Sequence, residues 1–227
     1  MQNDLKILVK FPTRERPDKW HSCITRYMDY QSTKQVKYLI TLDSNDALLL
    51  AYKNYCEILK SQGVNIDYVV GTSTGKIHAC NRDMVNQKDW DIVLLASDDM
   101  NCQIQGWDAI IINEMTKKYP DTDGVLWYND GYLGQRLNTM CILGKKYYDR
   151  FGYIYHPSYI SLFSDNEFME VSKQLDKVTY SHTVLFKHDH PANTTQGLND
   201  ALCKKNESYY LFDKVTFENR KRINYGL

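Results

Sequence analysis

The sequence has no long apolar run. Its longest, "IVLLA" and "ALLLA", fall far short of the roughly 20 residues a bilayer-spanning helix needs. The opening "MQNDLKILVK" carries no signal-peptide hydrophobic region. Both absences lead us to expect a soluble, cytoplasmic chain. Net charge is also missing: 28 basic and 28 acidic residues cancel. Bulk charge therefore points to no strongly anionic partner, and any charge-driven binding must come from a local patch. There is no CxxC pair. Cys23, Cys56, Cys80, Cys102, Cys141 and Cys203 are scattered, which argues against a cysteine-based zinc site. We read them as reduced thiols, because a chain of this size needs no disulfides to fold. Finally, there is no Walker A loop. "GTSTGKI" (71–77) has three residues between its glycines instead of four, and Ile77 follows Lys76 where Ser or Thr belongs. A glycine turn feeding a helix at Lys76 still suits an anion, or is a simple β-to-α turn.

What is present is a globular composition, 43% hydrophobic and 25% charged over 227 residues, with 18 tyrosines. That length bounds one large domain, with or without an extension. Strand-like and helix-like segments alternate. Strands are expected at 5–11, 36–43, 64–71, 90–97 and 124–128. Helices are expected at 17–30, 45–60 (N-capped by Asn45 or Asp46), 75–87 and 106–119. Such alternation implies βαβ units and a mostly parallel sheet flanked by helices. The run at 90–97 is continuously apolar, as a strand buried on both faces requires. Beyond residue 128 the alternation breaks. We expect a strand running into a short helix at 139–152, a helix at 164–175, a strand-like stretch at 178–190 and a partly helical tail.

Ligands of such sheets bind beyond the C-terminal strand ends. Those ends carry Pro12-Thr13-Arg14, Asp43, Gly71 and Asp98-Asp99. Asp98 and Asp99 repel each other and cannot both rest uncompensated in a core. They form either a polar turn or a site for a hard divalent cation. In "FSDNEF" (163–168), Ser164 and Glu167 stand at capping-box spacing, which leaves Asp165 as the better working carboxylate. Its plainer role is an acidic residue favoured by the helix dipole. In "KHDHP" (187–191), His188 and His190 share one face of an extended strand and suit a metal, or are merely exposed strand-end histidines. "WYNDGY" (127–132) groups Trp127, Tyr128, Asn129 and Asp130, as a sugar platform or as a surface turn.

In order and spacing, "KFPTRERP", "TLDSND", "GKIHACNRDM", "LLASDDMN", "SDNEF" and "KHDHP" resemble a small family-2-like glycosyltransferase of the GT-A fold, of the kind carried by bacteria and phages. The resemblance covers roughly residues 5–191. It implies that Pro12, Thr13 and Arg14 line a nucleotide pocket. Asp43 would contact the nucleobase, usually uracil, and Asn81 or Arg82 would lie near the ribose or diphosphate. Asp98 would face the ribose or donor sugar. Asp99 would ligate Mn2+ or Mg2+, completed by His188, with His190 as the alternative. Asp165 would be the base that activates an acceptor hydroxyl, with inversion at the sugar. Lys76 joins the donor-binding set, and Trp127, Tyr128, Asn129, Asp130 and Glu167 are weak acceptor-site candidates.

Three functions compete. The first is metal-dependent sugar transfer from a nucleotide-sugar donor, a UDP-sugar for choice. The second is a nucleotidyltransferase acting on a sugar phosphate, which usually needs a glycine-rich loop after the first strand; "PTRERP" has no glycine. The third is a non-catalytic nucleotide- or sugar-binding module, which has no need of Asp165. We expect a transferase domain over 1–195, in which residues 1–100 bind the nucleotide and residues 101–195 the acceptor, and a helical extension over 196–227. The acceptor is left open among a glycan, a protein and a modified nucleic acid. The basic tail, with Lys204, Lys205, Lys214, Arg220, Lys221 and Arg222, is either a steering patch or a solvated helix face.

Overall fold

Four parallel strands form the first half of the sheet. In the computed structural model, which describes residues 5–193 and 200–227, β1 (Ile7–Thr13), β2 (Val36–Asp43), β3 (Ile66–Gly71) and β4 (Ile92–Leu95) lie in the order β3-β2-β1-β4. Helices α1 (Pro17–Asp29), α2 (Leu49–Ser61) and α3 (Lys76–Asn81) connect them. The sheet continues through β7 (Ile142–Gly144), β6 (Val125–Tyr128) and β8 (Val178–Ser181), giving β3-β2-β1-β4-β7-β6-β8. β7 is antiparallel to both β4 and β6, while β6 and β8 are parallel. The sheet is thus mostly parallel, as the alternation predicts. α4 (Trp107–Lys118), α5 (Lys145–Phe151) and α6 (Ser164–Gln174) complete the flanking layers. A separate antiparallel ribbon pairs β5 (Met100–Cys102) with β9 (Phe186–His188).

Period-2 alternation splits the core in two. Ile7, Val9 and Phe11 of β1 join Ile92 and Leu94 of β4 on one face, packed with Trp20, Tyr27 and Trp107. Leu8 of β1 joins Val93 and Leu95 on the other, packed with Ile77, Tyr147 and Phe168. β4 is buried along its whole length, which explains its unbroken apolar run.

Local departures from the sequence expectation have identifiable causes. The helix expected over 75–87 stops at Asn81, because Arg82 takes an extended ψ and Asp83 a left-handed φ of 72° before a 3-10 turn at Met84–Asn86. Neither Asn45 nor Asp46 caps α2. The cap position is Leu48, while Asp46 accepts hydrogen bonds from the Leu48 and Glu15 N–H groups. The capping box in "SDNEF" does not form either. Ser164 is already helical, Phe163 holds the cap position at φ 62°, and Glu167 is taken by Arg220 and Tyr159. The single stretch expected at 178–190 breaks into β8 and β9, which belong to different sheets.

The tail folds into α7 (Ala201–Glu207) and α8 (Tyr210–Arg222). The boundary expected at 195/196 lies outside the described residues. Asp213 of α8 is fully buried and accepts from the N–H groups of Ile160, Ser161 and Leu162, each at 2.8 Å. The segment that leads into α6 therefore hangs on the tail. All six cysteines are buried and unpaired. Among the described residues, no helix is long and apolar enough to cross a membrane.

Candidate active site

The ribbon's register decides which residues meet at the end of β4. Pairing of β5 with β9 sets Met100 opposite His188, and the Asp189 N–H donates to the Asp99 carbonyl at 2.8 Å. The ribbon's inner side is apolar: Phe186 stacks on Tyr27 at 5.0 Å and packs edge-on against Trp107. This anchorage brings His188 Nε2 to 3.6 Å from Asp99 Oδ2, although the two residues are distant in sequence. Ser97 Oγ donates to Asp99 Oδ1.

The adjacent aspartates have opposite electrostatic fates. Burial, and then the neighbouring Asp99 charge, push the Asp98 carboxyl up, partly offset by Lys19 and Arg16 at 3.3 and 3.2 Å. Burial also pushes on Asp99. There, His188 at 3.6 Å, the Ser97 hydroxyl and the Lys76 charge prevail and hold it well below the usual carboxylate range. Asp99 is thus held as an anion, whereas Asp98, despite Lys19 and Arg16, keeps a proton more readily than an ordinary aspartate.

Asp165 sits half-buried in the first turn of α6. Burial raises its carboxyl, and Lys76 and His188 pull it back. The charge of Lys76, an exposed residue at the start of α3, is felt by Asp99, Asp165 and His190. His190 tilts against His188 at 5.6 Å, and its Nδ1 accepts from the Ala192 N–H. Of the two histidines, His188 is the one beside Asp99.

The C-terminal ends of β1 and β2 build a second group. Asp43 takes Arg14 at 3.2 Å and Arg82 at 3.3 Å. Arg14 also donates to Asn45, and the Thr13 hydroxyl, following Pro12, donates to the Tyr52 hydroxyl. Asn81 is not free to meet a ribose. Its amide donates to the Tyr155 carbonyl and accepts from the Ile154 and Tyr155 N–H groups.

The weak acceptor candidates do not form a sugar platform. Trp127 is buried against Tyr180, with Lys173 over its ring, and Tyr128 is buried with its hydroxyl on Glu114. Neither ring offers a face to a sugar. The Asn129 side chain closes a turn onto the Gly131 N–H. Asp130 is buried and accepts from the N–H groups of Tyr132, Leu133 and Gly134. Glu167 is locked by both Arg220 nitrogens. Sequence reasoning also missed residues. Arg16 joins Asp98 to Asp200 through a bidentate pair at 2.7 and 2.6 Å. Lys19 and Ser97 complete the shell of the two aspartates. The two arginines of "RER" after β1 are the available signal, and they part to different partners: Arg14 to Asp43 and Arg16 to Asp98 and Asp200.

Among the described residues, no group of three or more His, Cys, Asp or Glu could enclose a metal. The protein supplies two donors, the Asp99 carboxylate and the His188 imidazole. Mg2+ and Mn2+ are commonly held by one or two protein ligands plus phosphate oxygens and water, so this open pair fits an ion completed by a diphosphate.

No protein-family model and no curated protein sequence matches the chain. Its backbone does match solved structures. A mannosyltransferase from Pyrobaculum calidifontis, solved with GDP-Man and Mn2+, superposes with a TM-score of 0.66 at 11% identity, over 82% of this chain and 57% of that one. S. aureus TarS 1-349 in complex with UDP-GlcNAc gives 0.60 at 14% identity, over 81% and 58%. A 4-diphosphocytidyl-2C-methyl-D-erythritol synthase from Anaerococcus prevotii gives 0.55 at 12% identity, over 91% and 97%. The chain spans under two thirds of the length of the mannosyltransferase and of TarS 1-349. At these identities the likeness speaks to architecture: the chain has the GT-A fold of nucleotide-sugar transferases.

Proposed function

We propose that the protein is a metal-dependent glycosyltransferase that moves a sugar from a UDP-sugar to an acceptor hydroxyl. The observation that carries this reading is the meeting of Asp99 and His188 at the C-terminal end of β4, where the Lys76 charge is felt by Asp99 and Asp165 alike. The fold supports it, and two structural neighbours were solved with nucleotide-sugars. A bound Mn2+ or Mg2+ would supply Lewis-acid neutralisation of the leaving diphosphate.

The chain's own residues do the rest. Asp99 and His188 would hold the ion against the pyrophosphate, and Lys76 adds a positive charge on the same side. Asp43, framed by Arg14 and Arg82, receives the nucleobase. Asp98, fixed by Arg16 and Lys19, meets the ribose or donor sugar. Asp165 takes the proton of the acceptor hydroxyl as that oxygen attacks the anomeric carbon, which gives inversion. Its raised affinity for a proton, imposed by burial, suits a base better than an ordinary surface aspartate.

The cytidylyl-type neighbour keeps nucleotidyl transfer to a sugar phosphate as the competing reading. The loop after β1 weighs against it, because it has no glycine and its arginines are already paired with Asp43, Asp98 and Asp200. The test is donor hydrolysis across UDP- and GDP-sugars, with and without Mn2+, beside UTP or CTP with sugar phosphates. Mn2+-dependent release of UDP supports the proposal. Pyrophosphate release from a triphosphate, or no metal dependence with any donor, overturns it.

A further inference from the structure

Lys10 breaks the apolar run of β1. It shares a face with Leu8, and its side chain is fully buried. A buried ammonium needs partners. Lys10 Nζ donates to the Thr41 hydroxyl on β2 and to the Arg82 carbonyl at 2.7 Å, and stands 3.8 Å from Asp83 Oδ2. The Thr41 hydroxyl in turn donates to Asp83 at 2.9 Å, and Arg82 Nε donates to the same oxygen at 3.2 Å.

Those contacts grip a strained corner. Asp83 has a left-handed φ of 72°, a conformation that costs a residue with a side chain and is kept only where the surroundings impose it. Here the corner ends α3, and the Arg82 guanidinium reaches the C-terminal ends of β2 and β3. From there Arg82 donates to Asp43 at 3.3 Å, to Ser73 at 3.0 Å and to the Leu42 carbonyl at 2.7 Å. Arg14 holds the other Asp43 oxygen and is itself bonded to Glu15. A ladder of alternating charge therefore runs from the core to the strand ends: Lys10, Asp83, Arg82, Asp43, Arg14, Glu15.

We propose that Lys10, acting through Thr41 and Asp83, is a positioning residue that sets Arg82 and hence Asp43 for nucleobase recognition. It touches no substrate. This inference rests on the nucleotide-sugar reading above. Without Lys10, Arg82 is the one cation left paired with Asp83 among the described residues, and the guanidinium is drawn toward Asp83 and away from Asp43. Burial already strains the Lys10 charge, lowering its pKa to about 8 against the pull of Asp83.

Three variants test it: Lys10→Met, Thr41→Val and Lys10→Met with Asp83→Asn. Thr41→Val cuts the link with little change in volume and none in charge, so it serves if Lys10→Met does not fold. Calorimetry would measure UDP, GDP and inorganic pyrophosphate, each with Mn2+. We expect Lys10→Met to weaken UDP about tenfold and Thr41→Val about fivefold, with pyrophosphate binding unchanged. The double variant should recover most of the UDP affinity, because it restores the balance of the ladder. In donor hydrolysis the loss should fall on KM and leave kcat within about threefold. A folded Thr41→Val that binds UDP like the wild type overturns the inference, as does equal weakening of UDP and pyrophosphate. If the wild type binds no nucleoside diphosphate at all, the functional reading fails instead.

Discussion

Replacing Asp213 with alanine should loosen the tail and the segment leading to Asp165 together. The carboxylate is fully buried in α8 and takes three backbone N–H groups at 2.8 Å, from Ile160, Ser161 and Leu162. The Ser161 bond lies wholly inside the protein, and the other two are reached to some extent by water. A buried donor left without a partner costs about 1–3 kcal/mol, and charge-assisted bonds sit toward the upper end. Taking about 2 for Ser161 and about 1 for each of the others gives a loss of about 4 kcal/mol. For a chain of this size, 1 kcal/mol moves Tm by about 2–4 °C, so Tm should fall by about 8–16 °C. Asparagine retains one acceptor oxygen, and Asp213→Asn should lose about half as much. Calorimetric melts of the three proteins measure this directly. The effect should extend to function, because Ile160 also accepts the N–H of Ile77 beside Lys76, and residues 160–162 lead into Asp165. A Tm within about 2 °C of wild type for Asp213→Ala would refute the reasoning that the tail is tied to the site.

Other outcomes follow from the candidate site. Asp165→Asn should abolish turnover of the UDP-sugar while UDP affinity stays, and unchanged turnover would remove Asp165 as the base. Because burial raises the folded-state pKa of Asp165, its ionisation opposes folding, and its contribution to stability declines as pH rises through that value. For a base the consequence reverses: wild-type turnover should rise along an acid limb lying above the ordinary aspartate value of about 3.9. His188→Gln should weaken Mn2+ binding, read by electron paramagnetic resonance, at least tenfold, whereas His190→Gln should do so far less. Arg16→Met should speed backbone hydrogen exchange in α7, since Arg16 ties Asp200, the α7 cap, to Asp98; unchanged exchange would show that the tie bears no load.

Much of the sheet is legible in the sequence, because period-2 and period-3.6 apolar patterns follow directly from which faces must be buried. The Asp98-Asp99 pair stands out for the same reason: two charges ending an apolar strand demand a counter-charge. What local pattern cannot supply is long-range partnership. Glu167 stands at capping spacing, yet its carboxylate goes to Arg220 in a helix far along the chain. Trp127 and Tyr128 read as a sugar platform because aromatic and amide residues cluster there, but β6 lies between β7 and β8 and buries both rings. The strand-like 178–190 gives no hint that its ends serve two sheets. Lys10 looks like one polar residue in a strand, and its role depends on a backbone corner 72 residues away.

The central claim is that Asp99 and His188 form an incomplete cation site that a nucleotide diphosphate finishes. Titrating Mn2+ in the absence and presence of saturating UDP tests this most directly. The account predicts that UDP tightens Mn2+ binding at least tenfold, that Mn2+ tightens UDP by the same factor, and that Asp99→Asn removes the coupling. Mn2+ affinity that is indifferent to UDP, or coupling that survives in Asp99→Asn, would contradict it.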